Sequence, residues 1–217
     1  MASKDKTTTP DEDYDTLPPE ILDRLDEAHD ILADEGPEAA LEHFRKCAEE
    51  FPESLEVRFW LGSAHFMLDQ YEEAIVEFKE ILSKDPDNHP AREMLGRAYS
   101  RDPEMLEEAQ ELLEDVVGEA PERDEARFDL ARIYAQQEDY ESCFVHFSFL
   151  FAMEFKYAEF HSEFGLILED IGQESHAVEH YERAVQIDPG IEPATGRLQA
   201  LRRKKSSRRP KGKKRRR

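Results

Sequence analysis

The sequence predicts an all-α fold, a solenoid of five helical hairpins closed by a C-terminal capping helix. Three observations carry this. Residue types recur with a period of about 34 residues from Ile21 to about Arg203, the signature of a stacked repeat. Of the 217 residues, 39% are hydrophobic and 37% charged, which suits an elongated object with much surface rather than one thick core. Pro52, Pro86, Pro121 and Pro189 return near the end of four of the five units, where a residue without a backbone N–H punctuates the helices.

The clearest unit spans Leu55 to Asn88, with Leu61, Gly62, His65, Ala74, Phe78, Ile81 and Pro86 at positions 7, 8, 11, 20, 24, 27 and 32. One period earlier, unit 21–54 places Ala28, Ile31, Ala40, Phe44, Cys47 and Pro52 in those slots, with Glu27 departing at position 7. One period later, unit 89–123 has Leu95, Gly96 and Tyr99, then Ala109, Leu113, Val116 and Pro121 displaced by one residue. The displacement predicts an insertion near Asp102 and Pro103, in the turn between its two helices. Unit 124–157 supplies Leu130, Ala131, Tyr134, Cys143, Phe147 and Leu150, with Phe155 where the proline would stand. Unit 158–191 gives Phe164, Gly165, Leu168, Ala177, Tyr181, Ala184 and Pro189, and Leu198 restarts the register in a half-repeat over 192–203. This pattern resembles the tetratricopeptide repeat family. The resemblance implies a right-handed α-solenoid whose first helices line a concave, protein-binding groove.

The physical logic is that each unit forms two antiparallel amphipathic helices that cannot bury their apolar faces alone. Glycine or alanine at position 8 and alanine at position 20 let the two backbones approach, and larger residues at 11 and 24 fill the space between them. In the last helix Leu198 and Leu201 can face inward while Arg197, Arg202 and Arg203 face water, as a cap requires. Residues 1–17 are rich in Asp, Thr and Pro without periodicity and are expected to be disordered, and Pro18-Pro19-Glu20 leads into the first helix. The repeat domain is therefore expected over 18–203, followed by a basic tail, 204–217.

In the resembling family, positions 2, 5, 9, 12 and 13 point into the groove. Here they give an apolar end, including Leu22, Leu25, His29, Phe59, Ser63, Phe66 and Met67, then a stretch with Glu93, Arg97, Arg101, Phe128 and Arg132. Two readings stay open for the arginines. They hold an acidic or C-terminal carboxylate group of an extended peptide, or Arg97 pairs with Glu93 and the others are solvated or neutralised by Glu125 and Glu159. The Lys and Asn clamp by which chaperone adaptors of this family hold a carboxylate is not reproduced, since position 5 carries Leu25, Phe59, Glu93 and Phe128.

The net charge of −22 hides an asymmetry. Residues 202–217 hold 12 cations and no acid, leaving the remainder with 51 acidic against 17 basic residues, −34. The tail cations are Arg202, Arg203, Lys204, Lys205, Arg208, Arg209, Lys211, Lys213, Lys214, Arg215, Arg216 and Arg217. A segment of this kind attracts nucleic acid, ribosomes or other polyanions, serves as an import signal, or folds back on the acidic body. A second surface is suggested by the aromatic run from Phe144 to Phe164, where Phe149 and Phe155 either pack across a junction or support self-association.

Catalytic signals are sparse. His176 and His180 share a helix face at i, i+4 but lack the adjacent Glu and third ligand of a zinc site, and read more simply as surface residues. No phosphate-binding glycine loop and no serine nucleophile motif occurs, so no cofactor is called for and an enzyme is not expected. Cys47 and Cys143 are two scattered, core-type cysteines that read as free thiols in a reducing compartment. With no apolar leader or long apolar run, the expectation is a cytoplasmic protein that does not insert into membranes, with the nucleus an open alternative if the source is eukaryotic. Its expected function is that of an adaptor or partner-specific chaperone holding a peptide in the groove, the alternative being docking on nucleic acid or ribosomes through the tail.

Overall fold

The structure, a computed structural model, describes residues 17–152 and 157–207. These form eleven α-helices and no strand. The helices are α1 (Pro19–Glu35), α2 (Pro37–Glu50), α3 (Leu55–Met67), α4 (Tyr71–Lys84), α5 (His89–Tyr99), α6 (Leu106–Glu119), α7 (Asp124–Gln136), α8 (Tyr140–Ala152), α9 (Ala158–Asp170), α10 (Glu174–Ile187) and α11 (Ala194–Ser207). The expected all-α repeat-solenoid class is what the helices build. No helix among the described residues is long and apolar enough to cross a membrane.

The chain divides into two compact units between Ile133 and Tyr134. In unit 1, α1 to α6 pack each against the next; in unit 2, α10 packs against both α9 and α11. The small residues at position 8 have the role that close packing demands. A Cβ added to Gly62 would come within 2.9 Å of the Phe78 ring, and one added to Gly165 within 2.5 Å of the Tyr181 ring. Ala40, Ala74 and Ala177 at position 20, and Ala109 one place later in its unit, are fully buried, and Cys143 fills that slot on α8. Leu198 and Leu201 join Leu168, Ala177, Tyr181 and Ala184 in the unit 2 core, so α11 covers an apolar face as a cap should.

Helix ends follow the chain's punctuation. α2, α4, α6 and α10 stop two residues before Pro52, Pro86, Pro121 and Pro189. The Ser54 Oγ and Asn88 Oδ1 then accept from the N–H groups of Val57 and Ala91, at 3.3 and 3.0 Å, and so cap α3 and α5. The displaced register in the third unit is taken up by a 3-10 turn, Pro103–Met105, in which the Glu104 N–H donates to the Asp102 carboxylate at 2.9 Å. At position 15 the backbone enters the left-handed region three times, at Asp69 (φ 57°), Glu138 (φ 61°) and Gly172 (φ 78°). α11 runs a turn beyond Arg203, to Ser207. Phe155 and residues 1–16, on which expectations were placed, lie outside the described residues.

One recurrence escapes a periodicity test that follows apolar and small residues. Position 4 carries Arg24, Arg58, Arg92 and Arg127 in the first four units. Arg58 donates to the Pro52 carbonyl at 3.4 Å, Arg92 to that of Pro86 at 3.0 Å, and Arg127 to that of Pro121 at 2.8 Å. Each guanidinium thus satisfies the carbonyl that a proline terminator leaves without a helical partner, tying one hairpin to the turn before it.

Candidate protein-interaction face

Of the residues expected in the groove, Leu25, Phe59, Ser63 and Glu93 are buried within unit 1. The Phe59 ring meets Trp60 edge-on and tilts against Phe78, and the Ser63 hydroxyl donates to the Phe59 carbonyl at 2.9 Å. These residues support the face from behind. Leu22, His29, Phe66, Arg97, Arg101, Phe128 and Arg132 are half-buried, and Met67 is 38% exposed. The His29 ring packs edge-on to Trp60 at 4.3 Å, and burial lowers its pKa against the pull of Asp26 and Asp30.

The arginines are brought together by a residue that sequence reasoning missed. Asp129 on α7 has a side chain only 2% exposed, and three guanidiniums converge on it. Arg97 Nε reaches Oδ2 at 3.1 Å, while Arg101 and Arg132 reach Oδ1 at 3.0 and 3.2 Å. Arg97 also pairs with Glu125. Burial works against the Arg97 charge, yet Asp129, Glu125 and Glu93 outweigh it and hold its pKa above the ordinary value. Glu93 is not the partner of Arg97 in an ion pair; it pairs with Arg123 at 3.2 Å, and burial raises its pKa against Arg123 and Arg97. Glu159 lies in unit 2. The available signal was an acid between Phe128 and Leu130, away from the first turn where Asp124 and Glu125 favour the helix dipole.

Aromatic faces hold the same cations in place. Arg97 and Arg101 lie over the Phe66 ring at 5.3 and 5.9 Å, and Arg132 lies 5.9 Å from the Phe128 ring centroid. The Tyr71 ring packs edge-on to Phe66, and its hydroxyl donates to Asp69 at 2.5 Å. Three guanidiniums thus converge on Asp129, fixed before any ligand arrives, on a chain that is otherwise strongly acidic. Such an array suits planar oxyanions flanked by apolar groups.

The other expected site residues fall in unit 2 or beyond it. Arg202, Arg203 and Lys204 are exposed on α11; Arg202 pairs with Glu182 at 2.7 Å and Lys204 with Glu174. Lys205 belongs to the same helix, while Arg208, Arg209, Lys211, Lys213, Lys214, Arg215, Arg216 and Arg217 lie outside the described residues. Much of the aromatic run packs inward, with Phe147 buried and its ring 4.6 Å from that of Phe164, itself edge-on to Phe144 at 5.4 Å. His180 is not a surface residue beside His176. It is half-buried, with Nδ1 3.0 Å from Nδ1 of His161 on the neighbouring helix, and the Phe151 ring covers both. A search along one helix at i, i+4 could not see a contact between positions 4 and 23. Among the described residues, no group of three or more His, Cys, Asp or Glu is placed to hold a metal ion.

A family model described as tetratricopeptide repeat matches residues 32–98 and 101–143, more than half of the chain, and a second tetratricopeptide repeat model matches residues 158–191. The chain belongs to the tetratricopeptide repeat family. The fold agrees with that of a thermophilic tetratricopeptide protein from Thermus thermophilus, at a TM-score of 0.69 and 20% identity, over 83% of this chain and 98% of that one. It also agrees with that of YrrB, described as a tetratricopeptide protein with an unusual peptide-binding site, at 0.58 and 20%, over 80% of this chain and 89% of YrrB. Among curated proteins, ER membrane protein complex subunit 2 of Xenopus tropicalis is 30% identical over 104 residues, which are 46% of this chain and 34% of that protein. The chain spans about a third of the length of the curated relatives it matches. Tetratricopeptide repeats are in general scaffolds for protein interaction rather than catalytic folds.

Proposed function

We propose that this tetratricopeptide chain is an adaptor that binds an extended protein segment on unit 1, at the face formed by Phe66, Arg97, Arg101, Phe128 and Arg132. The segment would carry a side-chain or C-terminal carboxylate next to apolar residues. The observation that carries the reading is the convergence of three guanidiniums on Asp129, at 3.0 to 3.2 Å, over aromatic rings. Order imposed in advance lowers the entropic cost of binding. The peptide-binding description of YrrB supports the general mode. A reducing, cytoplasmic setting fits the two buried, free cysteines, whose thiols burial pushes up to about 11 at Cys47 and about 12 at Cys143.

Display selection of random peptides on the purified full chain tests this reading. The expected winners are acidic peptides with apolar neighbours, weakened at least tenfold by Arg101→Gln with Arg132→Gln, the two more exposed cations, which leave Arg97 to hold Asp129. Basic or uncharged winners, or acidic ones indifferent to those substitutions, would overturn it.

A further inference from the structure

We propose that the groove between α10 and α11 is the docking surface for the chain's own residues 208–217, and that this contact withholds the segment from external polyanions. Arg202 pairs with Glu182 and Lys204 with Glu174, so α11 runs antiparallel to α10 and the chain leaves α11 beside the first turn of α10. Between the two helices lies a groove of about 640 Å³, floored by Val178 and Leu201 and lined by the carboxylates of Glu174, Glu179 and Glu182 together with Arg202 and Lys204, which pair with two of them. Glu179 is exposed and has no ion pair among the described residues.

The occupant is chosen by charge, composition and reach. Residues 208–217, RRPKGKKRRR, hold eight cations and no acid. Ten extended residues reach about 33 Å, whereas the 14 residues of α10 span about 21 Å. Arg202 and Lys204 already show the mode of contact, a cation of the basic segment on a carboxylate of α10. The segment is tethered at Ser207, so its effective concentration at the groove exceeds that of a free polyanion at ordinary working concentrations.

The experiment compares three full-length chains by fluorescence anisotropy with a labelled peptide of residues 208–217. One is native, one has the eight cations of 208–217 replaced by Gln, and one adds Glu174→Gln, Glu179→Gln and Glu182→Gln to that second chain. The peptide is expected to bind the tail-neutralised chain at least tenfold more tightly than the native chain, whose groove is filled, and to lose at least tenfold on the triple substitution. Glu107→Gln, Glu108→Gln and Glu111→Gln, on the exposed side of α6, should change this binding less than twofold. In parallel, the triple substitution in the otherwise native chain should strengthen binding of a labelled oligo(dT) severalfold, and circular dichroism checks that each variant keeps its helices. Equal peptide binding by native and tail-neutralised chains, indifference to the α10 substitutions, an equal response to those on α6, or a doubled mass of the native chain that places the segment on a second copy would each overturn the proposal.

Discussion

The two units differ most plainly at one repeat position. In unit 1, position 4 is arginine, and at Arg58, Arg92 and Arg127 the guanidinium reaches back to a proline carbonyl. In unit 2 the same position is His161, which meets His180 at 3.0 Å under the Phe151 ring. Arginine keeps its charge across all ordinary pH, whereas histidine buried among aromatic rings keeps its fold-compatible state only when neutral. The same repeat geometry is thus joined by permanent charge in one unit and by titratable rings in the other. Unit 1 extends its method inward: Asp129 is a buried charge whose cost is offset by three cations, an arrangement worth more for fixing geometry than for net stability.

The comparison can be broken most forcefully at Asp129. Asp129→Asn should destabilise unit 1 by about 3 to 5 kcal/mol, because it leaves half-buried guanidiniums uncompensated, and hydrogen exchange should report the loss in α5 and α7 while α9 to α11 keep their protection. Next, Gly165→Ala should cost about 1 to 3 kcal/mol through overpacking against Tyr181, read as a lower denaturant midpoint confined to unit 2. Arg92→Met should cost about 1 kcal/mol for the lost bonds to the Pro86 carbonyl and Glu119, read as a lower denaturant midpoint of unit 1.

The pH dependence of unit 2 sharpens the contrast. Burial, then the neighbouring His180 and Arg183, push His161 down to about 4. Burial also lowers His180, against the pull of Glu179 and with the help of His176. A histidine with a depressed folded-state pKa contributes stability that is present above its unfolded value near 6.5 and lost as pH falls toward the folded value. Melting of the native chain should therefore lose more between pH 6.5 and 4 than melting of His161→Leu, and the difference between the two curves isolates the histidine from the many carboxylates. The smallest effect is expected at the turns. Glu138→Gly should stabilise by up to about 1 kcal/mol, since glutamate is strained at positive φ, while Asp69→Gly should gain nothing because its carboxylate accepts from the Tyr71 hydroxyl.

Much of this was legible in the chain because packing imposes a period. Gly62, Ala74, Phe78 and Pro86 announce a hairpin by spacing alone, and the displaced Ala109 and Pro121 announce an insertion near Asp102 and Pro103, which the structure accommodates as a 3-10 turn. Asp129 was not legible in the same way, since an acid in a chain with 51 of them looks like a solvated helix face until three arginines are seen around it. His161 and His180 lie 19 residues apart, joined by the hairpin rather than by one helix. Apolar and small residues report the fold because every repeat needs them, and the position-4 arginines keep the same period, whereas Asp129 with its arginines and His161 with His180 belong to particular junctions.

The claim that unit 1 receives an acidic segment over Phe66 is tested most directly by methyl resonances of ¹³C-methionine. Met67 is exposed beside Phe66, and the Met94 Sδ lies 3.7 Å from Arg97 Nη1, so both report on the face, with Met105 at the 3-10 turn as the reference. Titration with a selected acidic peptide should shift Met67 and Met94 saturably and leave Met105 in place. Saturable binding that moves Met105 while Met67 and Met94 stay unchanged would contradict the account.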